Sequence, residues 1–138
     1  MLGFETLALR MPRIVNSVEV IAKELSNNGL NINHPCLEAH PHHERYLKDF
    51  SNGCGTLLTI DMETKTKAFE FLSKTKLATL TANIGDSRTL ALHMASTIYR
   101  DIPASGKDVL GITDGLIRIS IGLEKPQDII EDFIQAAK

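Results

Sequence analysis

The side chains able to do chemistry gather in a few short stretches. His34, His40, His42 and His43 lie within ten residues of one another. Grouped imidazoles are common ligands of transition metals. His40 and His43 would share a helical face, but Pro41 stands between them, and no acidic residue joins them at a ligand spacing. Polar residues of this kind are by default a solvated loop and helix start, so no metal ligand is assigned. Cys36 and Cys54 are the two cysteines. They lack the CxxC spacing of a zinc or disulfide framework. Cys54 and a histidine would make a nucleophile pair, yet nothing near Cys54 would lower its thiol pKa, and a structural role is expected. Gly106-Lys107 has the ending of a phosphate loop, but Asp101 occupies the place of the upstream glycine, which excludes it. Gly53 to Gly55 leads into a strand rather than a helix, which excludes a dinucleotide fingerprint.

Two features remain. Asn83-Ile84-Gly85-Asp86 separates two apolar runs. Asn, Gly and Asp are turn residues, and the bland reading is a turn. The alternative is a ligand-facing loop in which Asn83 offers its side-chain amide. Arg118 sits in the middle of GLIRISI (115–121). Strand alternation puts it on the face of Leu116 and Ser120. An arginine on an exposed strand face is ordinary; a guanidinium fork that grips a carboxylate in two places is the functional reading. The residues alone leave both readings open.

The elements that must position these groups follow from periodicity. Leu7, Met11, Ile14, Val18, Ile21 and Leu25 form one helical stripe. Pro12 predicts a kink or start near Arg10 to Pro12, and Asn27-Asn28-Gly29 a stop. Strands are predicted at 30–34, 55–62, 77–81, 89–93 and 115–121. Short helices are predicted at 38–50, with Tyr46, Leu47 and Phe50 as its weak apolar side, and at 63–74, with Ala68, Phe69 and Leu72 inward. A C-terminal helix is predicted at 125–137, opened by Pro126 and burying Ile129, Ile130, Phe133 and Ile134. Residues 51–55 read as a turn and 102–113 as a loop. The order fits an α+β sandwich: an antiparallel or mixed sheet of about four to five strands with helices on one face. The long first helix has no obvious second layer in so short a chain, and the open sheet face lacks a cover.

Composition bounds the class. The 138 residues are enough for one domain. The hydrophobic share of 43% and charged share of 23% allow a packed core. A net charge of -2 and the absence of Trp argue against a nucleic-acid partner. Glu5 and Arg10 spoil a secretory segment at the start, and no run approaches the roughly 18 apolar residues of a spanning helix. A cytoplasmic chain without a membrane partner is expected, its unpaired cysteines suiting a reducing compartment.

Taken together, FETLALRM (4–11), NIGDSRTLALHMAST (83–97), GLIRISIGLE (115–124) and DII (128–130) resemble the C-terminal region of the pyridoxal-phosphate-dependent Cys/Met-metabolism enzymes. The resemblance runs essentially end to end and keeps the spacing from His93 to Arg118. The family includes cystathionine synthases and lyases, methionine lyase and the homoserine-ester sulfhydrylases. The Asn-x-Gly-Asp turn followed by TLALH is most similar to the branch acting on O-acetylhomoserine.

The resemblance implies a role for Arg118: it matches the arginine that binds the substrate α-carboxylate. Asn83 matches the turn residue beside that carboxylate, with the Ile84 backbone amide assisting. No catalytic, cofactor-binding or metal-binding residue is implied in this chain. Met94, Ile98 and Tyr99 depart from the family pattern after His93, and 101–110 lacks its acidic run. The family's chains are about three times longer, and none of Lys23, Lys48, Lys65, Lys67, Lys74 or Lys76 stands in the Schiff-base lysine motif. The expectation is therefore a small C-terminal domain over 1–138, resembling that of fold-type I enzymes, with the large cofactor-binding domain absent. Pyridoxal phosphate is expected in a full-length parent and not specifically on this chain. The parent would be a homo-oligomer that makes homocysteine from O-acetylhomoserine and a sulfur donor, its amino-acid substrate shared with the large domain. A cystathionine γ-synthase or methionine γ-lyase type of parent is the alternative within the family. A stand-alone, non-catalytic binding or regulatory domain is the alternative outside it.

Overall fold

A computed structural model describes residues 2–50 and 52–138. Its middle layer is one five-stranded mixed sheet in the order β1-β2-β5-β4-β3. The strands are β1 (Asn31–Asn33), β2 (Leu57–Asp61), β3 (Thr79–Leu80), β4 (Leu90–His93) and β5 (Leu116–Ser120). β5 pairs antiparallel with both β2 and β4, whereas β3 runs parallel to β4 at one edge. The predicted fold class and all five strands are present, with the strand ends shortened.

The helices are α1 (Leu2–Glu5), α2 (Leu7–Asn27), α3 (His43–Asp49), α4 (Lys65–Lys74), α5 (Ala104–Val109) and α6 (Pro126–Ala136). Alternation along the strands turns Leu58, Ile60, Ala91, Ile117 and Ile119 toward α2, α4 and α6, and all five are buried in one core. Phe71 of α4 and Phe133 of α6 meet edge to face at a centroid distance of 5.5 Å, a favoured aromatic geometry. None of the described helices is long and apolar enough to cross a membrane.

α2 departs from expectation in two ways. Its apolar stripe does find a second layer inside the chain: Ile14, Val18, Ile21 and Leu25 are at most 1% exposed, packed against α6 and the β1–β2 edge. The helix also runs unbroken through Pro12, and the break falls earlier, at Thr6. Proline removes one N–H and so frees a carbonyl one turn back. That carbonyl lies in the exposed first turns, where water can satisfy it. The stripe's start does not reach the core, since Leu7 is exposed.

Three smaller expectations are also corrected. The helix at 38–50 begins only at His43; Tyr46 is buried but Leu47 and Phe50 are exposed. Phe69 lies on the outer side of α4 and Phe71 takes the core position, because the buried set is Ala68, Phe71 and Leu72 at helical spacing. Residues 102–113 are not all loop, as α5 forms there after Pro103; its single turn and a half leaves Gly106 little to disrupt. The turn placed at 51–55 includes Ser51, which lies outside the described residues.

α6 is tied to the α4–β3 junction by one carboxylate. Asp132, 9% exposed, accepts from the Lys76 amide at 3.0 and 3.1 Å and from the Leu77 amide at 3.0 Å. Asp132→Ala strands two amide donors and should lower the urea-unfolding free energy by about 2–3 kcal/mol. Asp132→Asn keeps one acceptor oxygen and should lose less in the same measurement.

Candidate functional site

Arg118 stands at the centre of β5, opposite Thr59 of β2 and Leu92 of β4. The alternation predicted for it holds: Ile117 and Ile119 point into the core, and Arg118 faces the other way with Leu116 and Ser120. It is neither free nor fully buried. Nη2 donates to the Asn83 carbonyl oxygen at 3.2 Å, while Nε is buried with no hydrogen-bond partner. Thr59 Oγ1 and Ser120 Oγ, on the same face, are also buried and unpartnered. A buried polar group left unpaired costs about 1–3 kcal/mol, so this face carries hydrogen-bonding capacity that the described residues do not use.

The turn at 83–86 lies beside that guanidinium. Asn83 Oδ1 accepts from the Ile84 amide at 2.9 Å, and Asp86 Oδ1 accepts from the Arg88 amide at 3.0 Å. These are the local side-chain bonds that Asn and Asp make in turns, and Gly85 takes the left-handed conformation at φ 78°. The bland reading of this segment as a turn is therefore true, and the turn touches Arg118. The Ile84 N–H already has a partner in Asn83, so an incoming carboxylate would replace that bond rather than find a vacant donor. Asp86 is held below the usual carboxylate range, first by its bond from the Arg88 side chain and then by that from the Arg88 amide.

Three contacts hold the turn in place. Arg10 reaches from α2 to the Gly85 carbonyl at 3.4 Å, and its other nitrogens bind Thr6 Oγ1 and the Gly3 carbonyl. The Leu123 amide donates to the Ser87 carbonyl at 2.8 Å. Glu124 accepts from the Thr89 amide at 2.7 Å and from its hydroxyl at 2.9 Å. The approach of the 87–88 backbone to the end of β5 is so close that a Cβ on Gly122 would stand 2.5 Å from the Ser87 carbonyl oxygen and nearer still to the Arg88 carbonyl carbon. Sequence reasoning missed Thr59, Gly122 and Glu124. A glycine directly after a strand, with an acid two residues on, was a visible signal for the last two; Thr59 gave none, because its role depends on register.

The other candidates stay apart. His93 is buried and clamped, Nε2 at 2.8 Å from the Asp114 carbonyl and Nδ1 at 2.7 Å from Ser96 Oγ. His34 accepts from the Cys36 amide at 3.1 Å through Nδ1, while His43 Nδ1 meets the Pro35 carbonyl at 2.9 Å. Among the described residues, no three His, Cys, Asp or Glu side chains converge as metal ligands. Burial pushes the Cys36 thiol up to about 11 and raises that of Cys54 as well. Both cysteines are thus poor nucleophiles at neutral pH.

The model of the family described as Cys/Met metabolism PLP-dependent enzyme matches residues 1–138. An O-succinylhomoserine sulfhydrylase of Mycobacterium tuberculosis is 34% identical over 97% of this chain and 34% of its own length. An O-acetyl-L-homoserine sulfhydrylase of Thermus thermophilus is 35% identical over 99% and 33%. A cystathionine γ-lyase of Bos taurus is 35% identical over 99% and 34%. A Campylobacter jejuni crystal structure, described as an O-acetylhomoserine (thiol)-lyase carrying a pyridoxyl-lysine, superposes with a TM-score of 0.90 at 34% identity. That match covers 96% of this chain and 32% of the other. The chain thus spans about a third of the length of the curated relatives it matches.

Two expectations follow from this geometry. Gly122→Ala forces the Ser87–Arg88 backbone away from β5 and should cost about 1–3 kcal/mol in urea unfolding; hydrogen exchange at the 87–89 amides should speed up with it. The second concerns His34, whose pKa burial pushes below its ordinary value of 6.5 against the opposing pull of the Cys54 carbonyl and Glu19. A lowered folded pKa means that the unfolded chain binds the proton more readily. Stability is therefore full above the unfolded pKa and falls as pH drops through it toward the folded value. A melting temperature that declines from pH 7 to pH 5, with a shallower decline in His34→Gln, is the expected result.

Proposed function

The chain belongs to the Cys/Met metabolism PLP-dependent enzyme family, and from that premise we propose that it is the C-terminal, substrate-carboxylate-binding part of a homoserine-ester sulfhydrylase. Arg118 takes the α-carboxylate of the amino-acid substrate. The Ile84 amide and Asn83 border the same place. The complete enzyme replaces the ester group of O-acetylhomoserine with a sulfur nucleophile to give homocysteine and acetate. The observation that carries this reading is the half-buried guanidinium of Arg118, held by the Asn83 carbonyl at 3.2 Å and without a carboxylate partner among the described residues. A charged fork on a partly desolvated face binds a carboxylate more strongly than it would in water.

The cofactor named for the family needs an amine for its aldehyde, donors for its phosphate and an acid near its ring nitrogen. Around Arg118 on its sheet face stand Leu57, Thr59, Leu90, Leu92, Leu116 and Ser120. None of these is an amine, and the nearby turn carboxylate, Asp86, is engaged by Arg88. This set does not fit pyridoxal phosphate. The contribution of this chain is orientation: fixing the carboxylate fixes where the reacting carbons sit, which is a proximity effect.

The sulfhydrylase names among the relatives favour sulfide addition to a homoserine ester over cleavage of cystathionine. In the complete enzyme, Arg118→Ala should raise KM for the homoserine ester on the order of 10- to 150-fold, the equivalent of one charge-assisted hydrogen bond or a pair. Asn83→Ala should raise it only a few-fold. The chain itself offers a direct check. In the 15N-labelled chain, O-acetyl-L-homoserine should shift the amide of Ile84 and the side-chain signal of Arg118, whereas its methyl ester should not. Equal shifts from acid and ester would remove the carboxylate role.

A further inference from the structure

Thr59 and Arg118 are direct partners across the β2–β5 ladder and face the same side of the sheet. Each carries a buried polar atom without a partner: the hydroxyl oxygen of Thr59 and the Nε of Arg118. The two are chemically complementary, since Nε–H can only donate and a hydroxyl oxygen can accept. Side chains of directly opposed residues start about 5 Å apart at Cβ, and with no direct bond between the two atoms the span suits one bridging water. The exposed part of the guanidinium is elsewhere, and Nη2 is already anchored on the Asn83 carbonyl at 3.2 Å. A ligand cannot approach Nε, because that atom is closed off from solvent. A carboxylate gripped side-on through Nε and one Nη is therefore excluded by access.

We propose that Thr59 is a positioning residue for Arg118: one bridging water accepts the Nε–H bond and donates to the Thr59 hydroxyl, which aims the two Nη nitrogens end-on at the ligand carboxylate. The inference rests on the carboxylate role proposed above for Arg118. With Nε held by β2 and Nη2 by the Asn83 turn, the fork has two fixed points. These points fix how the planar guanidinium is oriented, and its remaining Nη N–H groups stand ready for a bidentate partner. A lysine in place of Arg118 has a single ammonium and could not hold both anchors while presenting a planar fork.

The test uses the full chain with 15N-labelled arginine. The Arg118 Nε–H signal, assigned by its loss in Arg118→Lys, should exchange slowly with water in the wild type and in Thr59→Ser. In Thr59→Val, which keeps shape but removes the hydroxyl, that exchange should accelerate at least tenfold. Affinity for O-acetyl-L-homoserine should fall about fivefold in Thr59→Val and return in Thr59→Ser, with melting temperature serving as the folding control. An Nε–H signal equally protected in Thr59→Val overturns the Thr59 role, whatever the ligand does. If protection is lost in Thr59→Val but neither Thr59→Val nor Arg118→Ala changes ligand binding, the contact stands and the carboxylate role falls.

Discussion

The site depends on one strand being paired on both sides. β5 is the central strand, paired with β2 along its whole length and with β4 over 117–120. Its backbone donors and acceptors are used in the two ladders, so its Cα positions are fixed by hydrogen bonds that no ligand competes for. Ile117 and Ile119 lock one face of it into the core at 0% exposure. A slip of one residue would put these isoleucines outside and the arginine inside, an exchange far too costly to be populated. Register therefore aims Arg118, and the buried apolar residues on the opposite face determine the register.

From that fixed strand the rest of the site is built by docking a loop. The turn at 83–86 has little apolar burial of its own; Ile84 is 53% exposed. It is held instead by polar bonds at its flanks, from Arg10 on one side and from Leu123 and Glu124 on the other. Glu124 places both oxygens on Thr89, the residue just before β4. The start of β4 and the residues after β5 are thereby closed against each other at the end where Gly122 permits backbone contact. The arginine is rigid at its backbone, and the turn beside it is held by replaceable hydrogen bonds. A ligand that takes the Ile84 amide exchanges one polar bond for another and disturbs no packing.

The legible part of this arrangement was the part governed by period. The alternation in GLIRISI located β5 and assigned Arg118 its face, and the stripe in α2 identified Ile14, Val18, Ile21 and Leu25 as core. The end of α2 at Asn27 to Gly29 was visible because Gly29 adopts φ 85° after the last helical residue. What stayed hidden depended on pairings between distant residues. No local pattern tells that Thr59 lies opposite Arg118, that Asp132 binds amides 55 and 56 residues away, or that the stripe of α2 finds its cover in α6. Pro12 misled because proline marks a lost hydrogen bond without saying whether solvent can replace it. For the site, residue types alone left Arg118 and the turn at 83–86 ambiguous; four stretches in order, read as a resemblance, singled them out together.

The two faces of the sheet treat polar groups differently, and that difference locates function better than any single residue. On the core face the strands present only apolar side chains apart from His93, whose two nitrogens are both engaged. On the other face, within the distance of two strands, Thr59 Oγ1, Arg118 Nε and Ser120 Oγ are all buried without partners. Random surface polarity would not produce this, because an exposed polar atom is satisfied by water and a buried one is normally paired within the protein. A fold that keeps three such atoms together, at about 1–3 kcal/mol each, is less stable than the same fold with valine at two of those positions. Part of that deficit is recovered if one bridging water joins the Arg118 Nε–H to the Thr59 hydroxyl and another meets Ser120 Oγ. Water held behind the guanidinium would leave its Nη nitrogens for an anion, which makes the penalty a form of preorganisation: the fork is oriented before the ligand arrives.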